Sequence, residues 1–80
     1  MKKSIKIPKF GSDVSEVEIA QWFVKKGDIV KKGDTLLEAL IDKAVVEIKA
    51  EISGKIIEIK EMEGAIVPIG TEIAIAEVFD

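Results

Sequence analysis

The stretch EALIDKAVVE, residues 38–47, places one Asp-Lys pair between two apolar runs. If Asp42 and Lys43 are the two central residues of a hairpin, one side of it carries only apolar side chains, as a core-facing surface requires. A shift of one residue would turn the charged side chains toward the core. The pattern therefore predicts a hairpin with Lys43 exposed at its tip, above the facing pairs Ile41–Ala44, Ala39–Val46 and Leu37–Ile48.

The residues of this predicted turn are not those that favour the tightest hairpins. A two-residue primed turn needs positive φ at both central residues, which Asn-Gly adopts most readily. We therefore expect a type I geometry, with Asp42 early in the turn. A lysine here is either a solvated turn residue or a site of covalent modification. A Schiff-base role is disfavoured, because such a lysine needs burial or a neighbouring cation, and the residue beside Lys43 is an aspartate.

Alternation of apolar and polar residues continues along the rest of the chain, with β-branched residues at many apolar positions. Glycines separate the alternating runs at turn positions, and no long window keeps a helical period. Short strands with glycine turns predict a β-sandwich or a small barrel. The other positions expected to face its core are Ile5, Ile7, Val17, Ile19, Phe23, Ile52, Ile57, Ile59, Ile73, Ile75 and Val78.

Two segments match each other at an offset of 37 residues, GDIVKKGDTL (27–36) and GAIVPIGTEI (64–73). The offset superimposes Gly27 on Gly64. One interpretation is chance, because strands and turns resemble one another over such lengths. The interpretation that we favour is two similar halves packed about a pseudo-twofold axis, with Lys43 where the first half passes into the second.

Composition removes several kinds of chemistry from this chain of 80 residues. It has no cysteine and no histidine, so disulfides, thiol and imidazole nucleophiles and the usual ligands of zinc, haem and iron–sulfur clusters are missing. Any redox or transfer chemistry therefore needs an attached or bound group. The net charge is −3 and every basic residue is lysine, which argues against nucleic acid, because arginine is the preferred contact for guanine and phosphate.

The chain also lacks the sequence features of membrane and secreted proteins. No apolar run approaches the ~20 residues of a membrane span. The basic start, MKKSIKIPKF, has no apolar segment of the kind found in signal peptides. We expect one domain, residues 1–80, with no membrane partner. Its expected location is the cytoplasm, or the mitochondrial matrix in a eukaryote.

Taken together, the motifs resemble those of the lipoyl domains of 2-oxo acid dehydrogenase complexes, over essentially the whole chain. Asp-Lys-Ala at 42–44 matches the family's hairpin tip, whose lysine is lipoylated. Gly27 lies sixteen residues before that lysine, Gly54 lies eleven after it, and Trp22 precedes the first glycine turn. The resemblance is carried by IKIPKFG (5–11), IAQWFVKKGDIVKKGDTLLEA (19–39), GKIIEI (54–59) and VPIGTEIAIAEV (67–78).

The resemblance implies an all-β fold, a flattened β-barrel or sandwich of two four-stranded antiparallel sheets with pseudo-twofold symmetry. It implies lipoic acid joined by an amide to Lys43, with Asp42 and Ala44 recognised at the tip and loop 9–15 close by. The implied role is a non-catalytic carrier in a dihydrolipoyl acyltransferase (E2) chain. The implied partners are a lipoate-attaching enzyme, a thiamine-diphosphate 2-oxo acid dehydrogenase (E1), dihydrolipoyl dehydrogenase (E3) and the acyltransferase core of the same chain.

The sequence departs from the family pattern at two places. Leu40 and Ile41 stand where members often carry Glu-Thr, which leaves open which dehydrogenase recognises the hairpin. Val17 stands where many members have glycine. Two other functions stay open: a biotinyl carrier, which usually has methionine on both sides of the modified lysine, and an unmodified β-barrel that serves as an interaction module. Asp42 and Ala44 argue against the biotinyl carrier.

Overall fold

The computed structural model describes residues 1–79, and within them the chain forms eight strands and no helix that could cross a membrane. The alternating apolar and β-branched residues form the longer strands, and glycine or Asp-containing turns end most of them. The strands are β1 (Lys2–Lys6), β2 (Glu16–Trp22), β3 (Ile29–Val30), β4 (Thr35–Ile41), β5 (Ala44–Lys49), β6 (Gly54–Ile59), β7 (Ile66–Pro68) and β8 (Glu72–Val78).

The eight strands make two antiparallel sheets of four strands each. One has the order β5-β4-β2-β7, and we call it the tip sheet because it contains the hairpin of Lys43. The other has the order β1-β8-β6-β3, and we call it the terminal sheet because its first two strands come from the two ends of the chain. The fold measures 36 × 22 × 19 Å. The predicted fold class is therefore confirmed.

The two halves of the chain are related as the 37-residue offset predicts. At that offset β2, β3 and β4 correspond to β6, β7 and β8, and β4 and β8 bury their residues in the same order. Turn hydrogen bonds cross between the halves in matched pairs. The Gly27 amide donates to the Ile56 carbonyl at 2.7 Å, and the Gly64 amide donates to the Ile19 carbonyl at 2.8 Å. Both glycines have φ near +95°, which a side chain would strain.

The core lies between the two sheets, but four of the residues expected in it are neither buried nor packed against it: Phe23, Ile57, Ile75 and Val78. Val78 is half-buried and ends β8. Phe23 is 48% exposed and follows the end of β2. Ile57 is the unpaired residue of a β-bulge, so Ile56 takes the buried place. Ile75 is only half-buried, because its neighbours Ala74 and Ala76 are the residues that point inward. Bulges change which face later residues occupy, and simple alternation does not reveal them.

Candidate functional site

The hairpin of β4 and β5 has the register that the sequence predicts. Ile41 pairs with Ala44, and the facing pairs continue down to the pair of Leu37 with Ile48. Burial decreases along the hairpin: Leu37 and Ile48 are buried, Ile41 is half-buried and Ala44 is exposed. The expectation that Ala44 faces the core is therefore wrong. The hairpin extends beyond the core, so its base is fixed by packing and its tip is in solvent.

The turn at the tip differs from the type I geometry expected from its residues. Asp42 has φ 51° and Lys43 has φ 69°, so both central residues are left-handed, as in a type I′ turn. A primed turn matches the right-handed twist of the two strands that it joins, whereas a type I turn would splay them. The left-handed conformation costs about 1 kcal/mol for each of the two residues, and the ladder below the turn offsets that cost.

The side chain of Lys43 is free to accept a modification. Within residues 1–79, neither Asp42 nor Lys43 takes part in a side-chain hydrogen bond or an ion pair, and both are exposed. An enzyme can therefore reach the Nζ of Lys43 without breaking a contact in the domain. An amide-linked group such as lipoic acid fits this position, because it needs one accessible amine and space around it.

The tip lies far from Phe79, the last residue that the structure describes. The Phe79 amide donates to the Ser53 carbonyl at 3.0 Å, and the Ser53 hydroxyl accepts from the Lys32 amide at 3.1 Å. Lys32 comes just before β4, which begins at Thr35 and runs seven residues toward the tip. At about 3.3 Å per residue, the length of β4 places Lys43 roughly 20 Å from the end of the fold that holds Phe79.

The start of β2 and the end of loop 9–15 also lie at the tip end of the fold. Glu18 pairs with Leu40, so the residues before Glu18 extend along the hairpin toward its tip. Loop 9–15 ends there, and the Ser15 carbonyl accepts from the Ile69 amide at 3.0 Å. The loop that the resemblance places near the lipoyl hairpin is thus at the same end of the fold as Lys43.

The valine that replaces a family glycine marks where the tip sheet opens. β6 pairs with β8 from Gly54, which lies opposite Val78. The equivalent strand β2 pairs with β4 only from Glu18, one residue after Val17. Val17 is buried, so its side chain occupies space that glycine leaves to a neighbouring strand. The last pair of the Lys43 hairpin therefore extends past the ladder with β2.

The ion pairs of the described residues lie on the terminal sheet and not at the tip. The N-terminal amine contacts Glu77 at 2.6 Å, and their hydrogen bond lowers the pKa of that carboxyl. Lys60 Nζ contacts Glu72 at 2.5 Å. Hydrogen bonds from Lys60 and Ser4 lower the pKa of Glu72, and the same contact with Glu72 raises the pKa of Lys60.

Comparison with known proteins gives one consistent family. Residues 3–75 match the biotin–lipoyl family model, described as "Biotin-requiring enzyme". The chain is 42% identical over 73 residues to the acetyltransferase component of the pyruvate dehydrogenase complex of Bacillus subtilis. It is 36% identical over 74 residues to the lipoamide acyltransferase component of the branched-chain alpha-keto acid dehydrogenase complex of Pseudomonas putida. These matches cover 91% and 92% of the chain but only 16% and 18% of the relatives.

A solved structure agrees with these matches. The solution structure of the lipoyl domain of the 2-oxoglutarate dehydrogenase complex from Azotobacter vinelandii superimposes with a TM-score of 0.75 at 32% identity. The match covers 92% of this chain and 94% of that domain, so both sheets and the hairpin are included. The chain therefore belongs to the biotin–lipoyl family, and within it the fold is that of a lipoyl domain.

Proposed function

We propose that this domain carries lipoic acid, joined by an amide to the Nζ of Lys43. The observation that supports this most is the position of Lys43: it is exposed at the end of a hairpin whose base is packed in the core. Amide formation removes the charge of the lysine and breaks no contact within the described residues. A lipoyl group supplies a cyclic disulfide that accepts an acyl group together with two electrons, which a chain without cysteine does not supply itself.

The domain itself holds and presents this group and contributes no catalytic residue. Its proposed partners are a lipoate-attaching enzyme, a thiamine-diphosphate 2-oxo acid dehydrogenase, dihydrolipoyl dehydrogenase and an acyltransferase core of the same chain, in the cytoplasm. The relatives named above support this set, since they are acyltransferase components of such complexes. Tethering raises the concentration of the arm at each active site, so high affinity for each partner is not required.

Asp42 and Ala44 complete the proposed recognition site at the tip. Asp42 is the first of the two left-handed residues of the turn, and it presents a carboxylate next to the amine to be modified. Ala44 is exposed and small, so the attaching enzyme can approach Lys43 closely from that side. A biotinyl carrier would present methionines at these two positions.

Intact mass after co-expression with a lipoate ligase and lipoic acid tests the proposal. We expect one lipoyl adduct, which peptide mapping locates on Lys43 because this lysine alone occupies the hairpin tip. Lys43→Ala is expected to lose the adduct completely, and Lys49→Ala, a control on the same hairpin, is expected to keep it. Absence of an adduct, or an adduct on another lysine, would contradict the proposal. A biotin adduct after co-expression with a biotin ligase would favour the biotinyl alternative.

The substitution Asp42→Asn separates the shape of the turn from its charge. Asparagine adopts positive φ readily, so we expect the free energy of unfolding to change by less than about 0.5 kcal/mol. We expect the initial rate of lipoylation to fall about tenfold, because one charge-assisted contact to the ligase is lost. Urea unfolding and time-resolved mass spectrometry measure the two effects. An unchanged rate would show that the ligase does not use the carboxylate.

A further inference from the structure

The outward face of the tip sheet carries a row of apolar side chains beside the lipoyl hairpin. Strand pairing connects Val45 to Leu40, Leu40 to Glu18, and Glu18 to Ile66, so these four residues form one line across the sheet. Val45 is 57% exposed, Ile66 is 62% exposed and Leu40 is half-buried. We call Val45, Leu40 and Ile66 the apolar row. Leu40 is also one of the two residues that the family pattern leaves unexplained.

The other sheet shows that the fold itself does not require an apolar row. The pseudo-twofold relates this line to a line on the terminal sheet, in which Lys2 pairs with Glu77, Glu77 with Lys55, and Lys55 with Ile29. Three of those four residues are charged and alternate in sign. The backbone arrangement is equivalent, so packing within the domain does not explain why Val45 is exposed and Leu40 only half-buried on the tip sheet.

The outward faces of the two sheets also differ in their charged residues. On the tip sheet four glutamates surround or interrupt the apolar row, and Lys49 is the single basic residue among the strand residues of that face; the glutamates are Glu16, Glu18, Glu38 and Glu47. Within residues 1–79 these four carboxylates make no ion pair. The terminal sheet instead presents equal numbers of lysines and glutamates on its outward strand positions: Lys2, Lys6 and Lys55 against Glu58, Glu72 and Glu77. A partner for the tip sheet therefore needs an apolar centre and a basic rim.

We propose that the apolar row and its acidic rim are the docking surface for the thiamine-diphosphate 2-oxo acid dehydrogenase, an inference that rests on the proposed lipoyl function. Amide formation on Lys43 removes a positive charge at the tip, so this face attracts a basic surface more strongly after lipoylation than before. The stronger attraction after lipoylation favours a partner that binds the modified domain over the enzyme that attaches the lipoyl group. The acyltransferase core shares the chain and is delivered by tethering, whereas the two dehydrogenases are separate proteins that must recognise the domain. Of these two, the thiamine-diphosphate enzyme is the one that acts on the 2-oxo acid, which differs among the complexes of the relatives. It therefore suits a row in which Leu40 departs from the family pattern.

The size of the row also suits a docking surface. Val45 is two residues from Lys43, and Ile66 is three strands away from Val45, or about 14 Å at ~4.8 Å per strand. A standard interface covers about 800 Å² on each partner, which is enough to include the tip and the whole row. Contact with the row would hold the domain while the arm of Lys43 reaches into the active site.

The matched pair Ile66→Lys and Ile29→Lys tests this inference. The two isoleucines occupy equivalent places, in β7 and β3, and are 62% and 59% exposed, so both variants add the same charge at little cost to folding. Each domain is lipoylated, checked by mass, and used as substrate for the dehydrogenases of the pyruvate, 2-oxoglutarate and branched-chain complexes. With the dehydrogenase that acylates the unmutated domain best, we expect Ile66→Lys to lower kcat/KM about tenfold, mainly through KM. Ile29→Lys is expected to stay within about twofold.

A second matched pair uses the other end of the line. Val45→Lys is expected to lower kcat/KM in the same way, and Lys2→Val, at the equivalent place on the terminal sheet, is expected to have no effect. Equal effects of Ile66→Lys and Ile29→Lys would overturn the inference alone, as would an effect confined to reoxidation by dihydrolipoyl dehydrogenase. A lipoylated domain that none of the three dehydrogenases acylates would overturn the proposed function and this inference together.

Discussion

Exchange of Asp42 and Lys43 is expected to abolish lipoylation while the domain stays folded. The exchange moves the amine by one residue, ~3.8 Å along the backbone, from the second to the first central position of the turn. Side chains at these two positions leave the turn in different directions. The lipoate-attaching enzyme must bring the Nζ into line with its activated acyl group, and a misplacement of this kind costs about a hundredfold in rate.

The exchanged domain should differ from the original only at the tip. Both residues are exposed and both have positive φ, so the turn carries the same two residue types under the same strain. Circular dichroism and urea unfolding are expected to be unchanged, and mass spectrometry after co-expression is expected to find almost no adduct. Lys49→Ala serves as the control that keeps normal lipoylation. Efficient modification of the exchanged domain would mean that the enzyme recognises only an exposed lysine.

The substitution Gly54→Ala is expected to give the largest loss of stability from a single methyl group. Gly54 is buried in β6, and an added Cβ would lie 2.3 Å from the backbone oxygen of Glu77 and 3.2 Å from the Cα of Val78. Both contacts are with the backbone of β8, which cannot rotate away as a side chain does. The strands must separate, so we expect the free energy of unfolding to fall by about 3 kcal/mol.

The matched control for this substitution is Gly27→Ala. Gly27 has nothing within 4 Å of an added Cβ, and its φ of +97° makes the cost conformational, about 1 kcal/mol. Unfolding in urea is measured through Trp22, the single tryptophan, which is half-buried and whose indole Nε1 donates to the Glu61 carbonyl at 2.9 Å. A greater loss of stability from Gly27→Ala than from Gly54→Ala would contradict the prediction, because it would mean that β8 moves away from the methyl group at position 54 at little cost.

The hairpin shows which features the sequence pattern predicts correctly and which it does not. Its register followed from alternation alone, because one residue of slip would have placed Glu38 and Glu47 in the core. The turn type was wrong, because the preferences of Asp42 and Lys43 are weaker than the twist that the two strands impose on the turn. The expectation that Ala44 faces the core was wrong for a related reason. Alternation shows which side a residue faces but not where along a strand the core ends.

The same distinction applies to the two sheets. The 37-residue offset predicted two similar halves and is confirmed, but it does not show that Ile57 lies in a bulge or that Ile75 is displaced from the core by Ala74 and Ala76. Those outcomes depend on hydrogen-bond register between strands that are distant in the chain. Lipoate attachment at Lys43, with Asp42 and Ala44 as its neighbours, stays a prediction.

By itself the sequence determined the all-β class, the pseudo-repeat, the hairpin register and the family, since each rests on local spacing or on motifs within one strand–turn–strand unit. Only the tertiary structure decided which residues share a surface. It placed Leu40, Val45 and Ile66 in one line, although Ile66 follows Val45 by 21 residues in the chain. Each strand lies about 5 Å from the next in a sheet, so residues far apart in the chain become neighbours on one face. No local pattern in the sequence shows which residues become neighbours in this way.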